Sequence, residues 1–215
     1  MEKKRLAVFA SGRGSNFRAI LDHIQSGSIP ADVVLCLTNN PAAGVIDIAK
    51  SNHIPVCIIV PKNFPDSTGF NDAILKELLS ARVDYIVLAG YLKLIGRQII
   101  AAYPNRIINI HPALLPAFGG KGMYGHHVHQ AVFESGARVS GVTVHLVNSE
   151  YDAGPIVWQQ CVAIDDLNSA DEIAARVLEI EHKIYAQAVK LLVEDRLSIQ
   201  GRRIHIRGEE TSGQN

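Results

Sequence analysis

The chain is 215 residues long, enough for one ordinary domain with a substantial buried core. Its 21 Lys and Arg balance 21 Asp and Glu, and no basic stripe interleaved with aromatics occurs, which argues against nucleic acid as a partner. The charged start at residues 1–5 is followed by an apolar run, 6–10, too short for a secretion signal, and nothing else approaches a membrane span, so a cytoplasmic protein with no membrane partner is expected. Cys36, Cys57 and Cys161 are odd in number, far apart and set in apolar strand-like runs, and are read as buried thiols in a reducing compartment.

In chain order, short β-rich runs at 5–10, 32–38, 56–60, 84–89 and 106–110 alternate with amphipathic stretches near 16–26, 42–52, 69–82 and 96–103. That rhythm is the signature of βαβ units. Near-continuous apolar strands such as Tyr85-Ile86-Val87-Leu88-Ala89 suit a parallel sheet covered on both faces. After residue 111 the pattern changes to a Gly- and Pro-rich loop, a helix near 126–135, and two long strands at 139–147 and 156–164 that are expected to pair antiparallel. Ile173, Val177, Ile180, Ile184, Ala188 and Leu191 recur at helical spacing, predicting one long packing helix over 170–194 with Ser169 as its N-cap. A last strand is expected at 203–206. The chain is thus read as one α/β domain over 1–207, with a disordered polar tail at 208–215.

Three places carry residues suited to chemistry. The turn Ser11-Gly12-Arg13-Gly14-Ser15-Asn16 leads from the first strand into the first helix, where free amides and the helix dipole can hold a phosphate. It lacks the Gly-Lys-Ser/Thr of a Walker A loop and the full dinucleotide spacing, and a tight structural turn is the alternative. In Ile107-Ile108-Asn109-Ile110-His111-Pro112, strand period two puts Asn109 and His111 on one face at the carboxyl end of a central strand, where open α/β sheets build active sites. An uncharged amide donor beside a histidine suits acyl-group transfer; strand capping is the bland reading. The third is Asp152, between two strands and just before Gly154-Pro155. It is either turn chemistry or a carboxylate set to hold a nearby histidine charged and help move a proton. The loop 112–125 is longer than usual connections, which marks it as functional. His126, His127 and His129 after it have no nearby carboxylate or cysteine co-ligand, so pocket lining or helix capping is favoured over metal.

Together, Gly12-Arg13-Gly14-Ser15-Asn16, Asn109-Ile110-His111-Pro112-Ala113-Leu114-Leu115-Pro116, Ser140-Gly141-Val142-Thr143-Val144-His145 and Asp152-Ala153-Gly154-Pro155 closely resemble the phosphoribosylglycinamide formyltransferases of the folate-dependent formyltransferase superfamily. The resemblance covers nearly the whole chain. It implies a Rossmann-like, three-layer α/β formyltransferase fold, with a mostly parallel central sheet and an antiparallel C-terminal part. It further implies transfer of a formyl group from 10-formyltetrahydrofolate to the amine of 5'-phosphoribosylglycinamide in purine biosynthesis, with small-molecule substrates, no metal, and a monomer or homodimer. Asn109 and a protonated His111 would stabilise the oxyanion, with Asp152 holding His111 charged. Gly14, Ser15 and Asn16 would bind phosphate, and Glu181 would contact the ribosylglycinamide portion. The folate pocket would follow Tyr91 through Lys93, Leu94 and Ile95, with Asn109 and the loop 147–152 from Val147 to Asp152.

The same core occurs in methionyl-tRNA formyltransferase and formyltetrahydrofolate hydrolase, which carry extra domains for which this chain is expected to have no room. Three departures touch details. The segment Pro65 to Phe70 lacks an arginine many members use on phosphate, leaving Lys62 or Lys121 for that task; Lys93 stands where an arginine is common; and Leu178 replaces a frequent glutamine. The rival readings are a hydrolase that passes the formyl group to water and a non-catalytic phospholigand-binding module.

Overall fold

A computed structural model describes residues 3–208. Five strands, β1 (Lys4–Phe9), β2 (Ala31–Thr38), β3 (Val56–Ile58), β4 (Tyr85–Leu88) and β5 (Ile107–His111), run parallel in the order β3-β2-β1-β4-β5. β6 (Val139–Leu146) and β7 (Ile156–Ala163) continue the sheet antiparallel, as expected, and β9 (Arg203–Ile206) and β8 (Leu197–Gln200) close its far edge. The expected α/β class, mostly parallel with an antiparallel C-terminal part, is the observed one. The 197–200 strand and its hairpin with β9 were not expected: four residues, Leu-Ser-Ile-Gln, are too few to show a period above background. Residues 209–215, most of the expected disordered tail, lie outside the described residues.

Helices α1 (Ser15–Gln25), α2 (Val45–Ser51), α5 (His126–Glu134) and α6 (Ala170–Val193) cover one face of the sheet, while α3 (Ser67–Ser80) and α4 (Arg97–Ala102) cover the other. Strand β1 shows why its sequence is apolar at successive positions. Leu6 and Val8 enter the core under α1 and α6, while Ala7 and Phe9 enter the core under α3 and α4. The long helix α6 starts as its sequence dictates. The Ser169 side chain accepts from the Glu172 N–H at 3.2 Å, and Asp171 and Glu172 favour the positive helix start. Deep in the fold, the Tyr185 hydroxyl lies 2.8 Å from the Leu88 carbonyl and 3.1 Å from that of Ile108, fastening α6 to the ends of β4 and β5.

The cysteines divide. Cys36 is buried between layers, where desolvation pushes its thiol up to about 12; Cys57 is half-buried; and Cys161, expected to be buried, is exposed. Strand β7 explains the correction. Val157 enters the core on the α6 side, residues 159–161 are exposed in succession, and among the described residues none from this strand joins the core on the α3 and α4 side. No helix of the described residues is long and apolar enough to cross a membrane.

Candidate active site

Between β1 and β4 the strand order reverses direction. From β1 the chain crosses over through α1 to β2 on one side, and from β4 it crosses through α4 to β5 on the other. Loops leaving such a pair diverge, and the crevice outside their carboxyl ends is where open α/β sheets bind ligands. A cavity of about 600 Å³ opens there. Its wall takes Asn39 from the end of β2, Leu88 and Gly90 from β4, Asn109 to Pro112 from β5, His145 from β6 and Glu181 from α6.

Strand β5 presents Asn109 and His111 to this cavity, on one face, as period two requires. Antiparallel pairing sets His145 directly opposite Asn109, and the Asn109 Nδ2 lies 3.0 Å from the His145 Nε2. The tautomer follows from the other ring nitrogen. His145 Nδ1 is 2.8 Å from the Leu146 carbonyl, which can only accept, so Nδ1 carries a proton and Nε2 is the nitrogen that meets the Asn109 amide. One amide N–H of Asn109 is thereby tethered, fixing the direction of the second. His111 likewise gives its Nε2–H to the Phe118 carbonyl at 2.8 Å.

Asp152 reaches both imidazoles. Its Oδ2 lies 3.6 Å from His111 Nδ1 and accepts from the Gly120 N–H at 2.9 Å, and its Oδ1 lies 3.6 Å from His145 Nε2. The residue holds φ +53°, a left-handed conformation that aspartate tolerates better than most and that recurs at functional sites. Burial pushes its carboxyl up, but His145, His111 and the Gly120 N–H together outweigh this and hold it below 3.8. For His111 the balance runs the other way from the sequence expectation. Desolvation pushes its pKa below 6.5, outweighing the upward pull of Asp152 and of the Phe118 carbonyl, with His145 adding to the depression. Asp152 therefore pulls the His111 pKa in the expected upward direction, and desolvation outweighs it.

On the opposite wall, the buried Asn16 gives its Nδ2–H to Glu181 Oε2 at 2.6 Å, and its own Oδ1 has no partner among the described residues. Burial raises the Glu181 pKa above 4.5, with the Asn16 bond opposing. Gly14 caps α1 at φ +82°, a conformation costly for any residue with a side chain, and no side chain caps the helix start. Of the three expected phosphate residues, Asn16 lines the cavity, while Gly14 is buried behind it and Ser15 is exposed beside it. Lys121 lines the cavity and Lys62, in a short 3-10 turn at Pro61–Asn63, does not. Of the segments expected to form the folate pocket, Tyr91, Lys93, Leu94, Ile95, Val147, Glu150 and Tyr151 all reach the wall. Leu92, Leu94, Tyr124 and Tyr151 form an exposed apolar rim.

Two polar lining residues, His145 and Asn39, were not singled out from the sequence for a role. His145 sits at the end of a β-branched run, and only the β5–β6 register brings it to Asn109. Asn39 follows β2 directly, a position at the carboxyl end of a strand that could have flagged it. His129 belongs to the cluster read as pocket lining or capping. It faces the cavity from α5 with an Nδ1 that has no partner among the described residues, and burial, helped by His126 and His111, pushes its pKa down to about 4. Among the described residues no group of three or more His, Cys, Asp or Glu gathers as metal ligands do.

A doubly wound α/β sheet whose switch-point cavity holds an amide donor, two imidazoles and a carboxylate defines a group-transfer site of the Rossmann-like class. The formyl transferase family matches residues 4–189, and the chain belongs to it. It is 49% identical to the chloroplastic phosphoribosylglycinamide formyltransferase of Arabidopsis thaliana over 91% of its own length and 67% of the relative's, so it spans about two thirds of that plant protein. It is 40% identical to the phosphoribosylglycinamide formyltransferase of Bacillus subtilis, over 88% of this chain and 95% of that one. The crystal structure of glycinamide ribonucleotide transformylase 1 from Symbiobacterium toebii superposes with a TM-score of 0.91 at 36% identity, covering 96% of this chain and 95% of the other.

Proposed function

We propose that the chain transfers a formyl group from 10-formyltetrahydrofolate to the primary amine of 5'-phosphoribosylglycinamide, giving the formylated amide and tetrahydrofolate. The observation that carries the residue assignment is the meeting of Asn109, His111, His145 and Asp152, within 3.0 to 3.6 Å of one another in pairs, at one end of a cavity whose other end holds Asn16 and Glu181. Two substrates meeting head-on need such a bipartite cleft.

The amine nitrogen attacks the formyl carbon, and the carbonyl electrons move to oxygen. The free N–H of Asn109 meets that oxyanion, and the negative charge favours the imidazolium of His111, which takes up a solvent proton and returns it on collapse, over the neutral ring that burial prefers. Asp152 stabilises the imidazolium as it forms and relays the amine's proton, through water, towards the leaving folate nitrogen. Collapse breaks the bond from the formyl carbon to that nitrogen. Gly14, Ser15 and Asn16 bind the substrate phosphate together with Lys121, and Glu181 binds the ribosylglycinamide. The folate ring lies along Lys93, Leu94, Ile95 and Val147, beside Asn109. The donor and acceptor are small molecules, and the chain works in the cytoplasm as a single formyltransferase domain over 1–207.

One assay decides. Mixing the protein with 10-formyltetrahydrofolate and following deformylation with and without phosphoribosylglycinamide should show turnover only when the amine is present. Formate release with water alone would replace the transferase with a hydrolase, and no turnover with either would leave only a binding module.

A further inference from the structure

The segment from Gly90 to Gly96 forms the folate side of the cavity, yet it has little framework of its own. Among the described residues no main-chain group of Tyr91 to Ile95 bonds another main-chain group. Unanchored main chain on a cavity wall takes its shape from side chains elsewhere. Tyr91 and Ile95 supply apolar anchors: both are buried, and the Tyr91 ring packs edge-on against Phe9 at 5.2 Å. The polar anchors are two buried side chains from other elements.

At the near end, Ser11 uses every polar group it has. Its N–H donates to the Gly90 carbonyl at 3.0 Å, and its hydroxyl accepts the Leu92 N–H at 3.0 Å and donates to Asn39 Oδ1 at 2.5 Å. Its carbonyl accepts from Asn40 Nδ2 at 3.2 Å. Ser11 also begins the turn that leads to Gly14 and Asn16, so one residue joins the two substrate halves of the cavity. At the far end, Asn71 on α3 is 7% exposed; its Oδ1 accepts the Gly96 N–H at 3.1 Å, and its Nδ2 donates to the Ser67 carbonyl at 2.6 Å. Gly96 has an ordinary negative φ of −65° in an extended conformation, and its lack of a side chain answers to space instead. A Cβ there would stand 2.4 Å from Asn71 Cγ.

We infer that Ser11 and Asn71 are positioning residues for the transfer reaction, clasping the 90–96 loop at its two ends so that its backbone is preformed for the folate; this rests on the function proposed above. Of the two sides of the cavity Asn71 reaches only the folate-side loop, through Gly96, and governs donor affinity alone. Ser11 touches both sides and governs donor and amine together. Each clasp acts through the loop rather than on reacting atoms.

The test compares Asn71→Ala, Gly96→Ala and Ser11→Ala with wild type, reading kcat, the two KM values, and the affinity for tetrahydrofolate alone by calorimetry. Losing one such bond corresponds to about a three- to tenfold loss of affinity. Asn71→Ala should raise the donor KM and the tetrahydrofolate Kd by that factor, with kcat falling less than KM rises and the amine KM near wild type. Gly96→Ala should reproduce the effect by forcing the amide aside, and the double variant should be no worse than the worse single one, because both break one contact. Ser11→Ala should raise both KM values, with Ser11→Thr restoring them in part. Loss of melting temperature without this asymmetry between the substrates, or additive effects of the Asn71 and Gly96 changes, would overturn the clasp. Failure of the wild-type protein to bind tetrahydrofolate would sink the parent function and the clasp with it, whereas variants indistinguishable from an active wild type sink the clasp alone.

Discussion

Asn16 and Glu181, 165 residues apart in sequence, are joined by a 2.6 Å hydrogen bond in the wall of the cavity, where both are buried. Burial raises the Glu181 pKa, so above pH 4.5 the folded chain holds a proton more tightly than the unfolded one. Stability therefore falls as pH rises through the raised value. Glu181→Gln keeps the acceptor for Asn16 and cannot ionise. It is expected to unfold at higher urea than wild type near pH 7.5, with the two curves converging below pH 4.5, while its KM for the amine rises about tenfold. Equal midpoints at pH 7.5 would mean that the carboxylate is not held in this environment.

Asp152 contributes in the opposite sense. Its folded pKa is below 3.8, so its stabilisation is present above that value and is lost as pH falls through the folded pKa. Asp152→Asn tolerates the same left-handed backbone and removes the charge. Imidazole titration by NMR should place the His111 pKa further below 6.5 in this variant, since the one carboxylate raising it is gone. Turnover should drop by at least about a hundredfold.

His145 separates a tether from a reacting group. His111→Ala or Asn109→Ala should lower kcat by at least about a hundredfold while phosphate-ligand affinity moves much less. His145→Ala frees the Asn109 amide without removing it, so a smaller loss, about tenfold, is expected in kcat. Combining His145→Ala with Asn109→Ala should add little to Asn109→Ala alone. Steady-state kinetics on the four proteins check this ordering.

Lys121 and Lys62 can be told apart by anion binding. Only Lys121 reaches the cavity, so Lys121→Ala should weaken the phosphorylated amine several-fold at low salt, with a smaller penalty at high salt, whereas Lys62→Ala should bind as wild type does. Calorimetric titration at two ionic strengths distinguishes them.

What could be read from the sequence tracks what is local. Asn109 and His111 lie two apart on a strand, and period two alone aligns them. The α6 pattern from Ile173 to Leu191 likewise specified its buried stripe and its Ser169 cap. His145 escaped because its role depends on which residue of β6 pairs with Asn109, and register is a property of two strands. The net direction of the His111 shift was not legible for a related reason: the Asp152 attraction is pairwise, but the desolvation that exceeds it comes from the whole fold closing over the ring. Cys161 was misplaced because an apolar run does not reveal whether a strand is covered on one face or two.

The rim of Leu92, Leu94, Tyr124 and Tyr151 stands exposed at the mouth of the cavity. Water released from such a ring leaves a calorimetric mark, a negative heat capacity change on binding. Whichever molecule covers those four side chains should carry that mark, and one that stops at Asn16 and Glu181 should not, so the temperature dependence of binding enthalpy would report which half of the cleft a ligand fills.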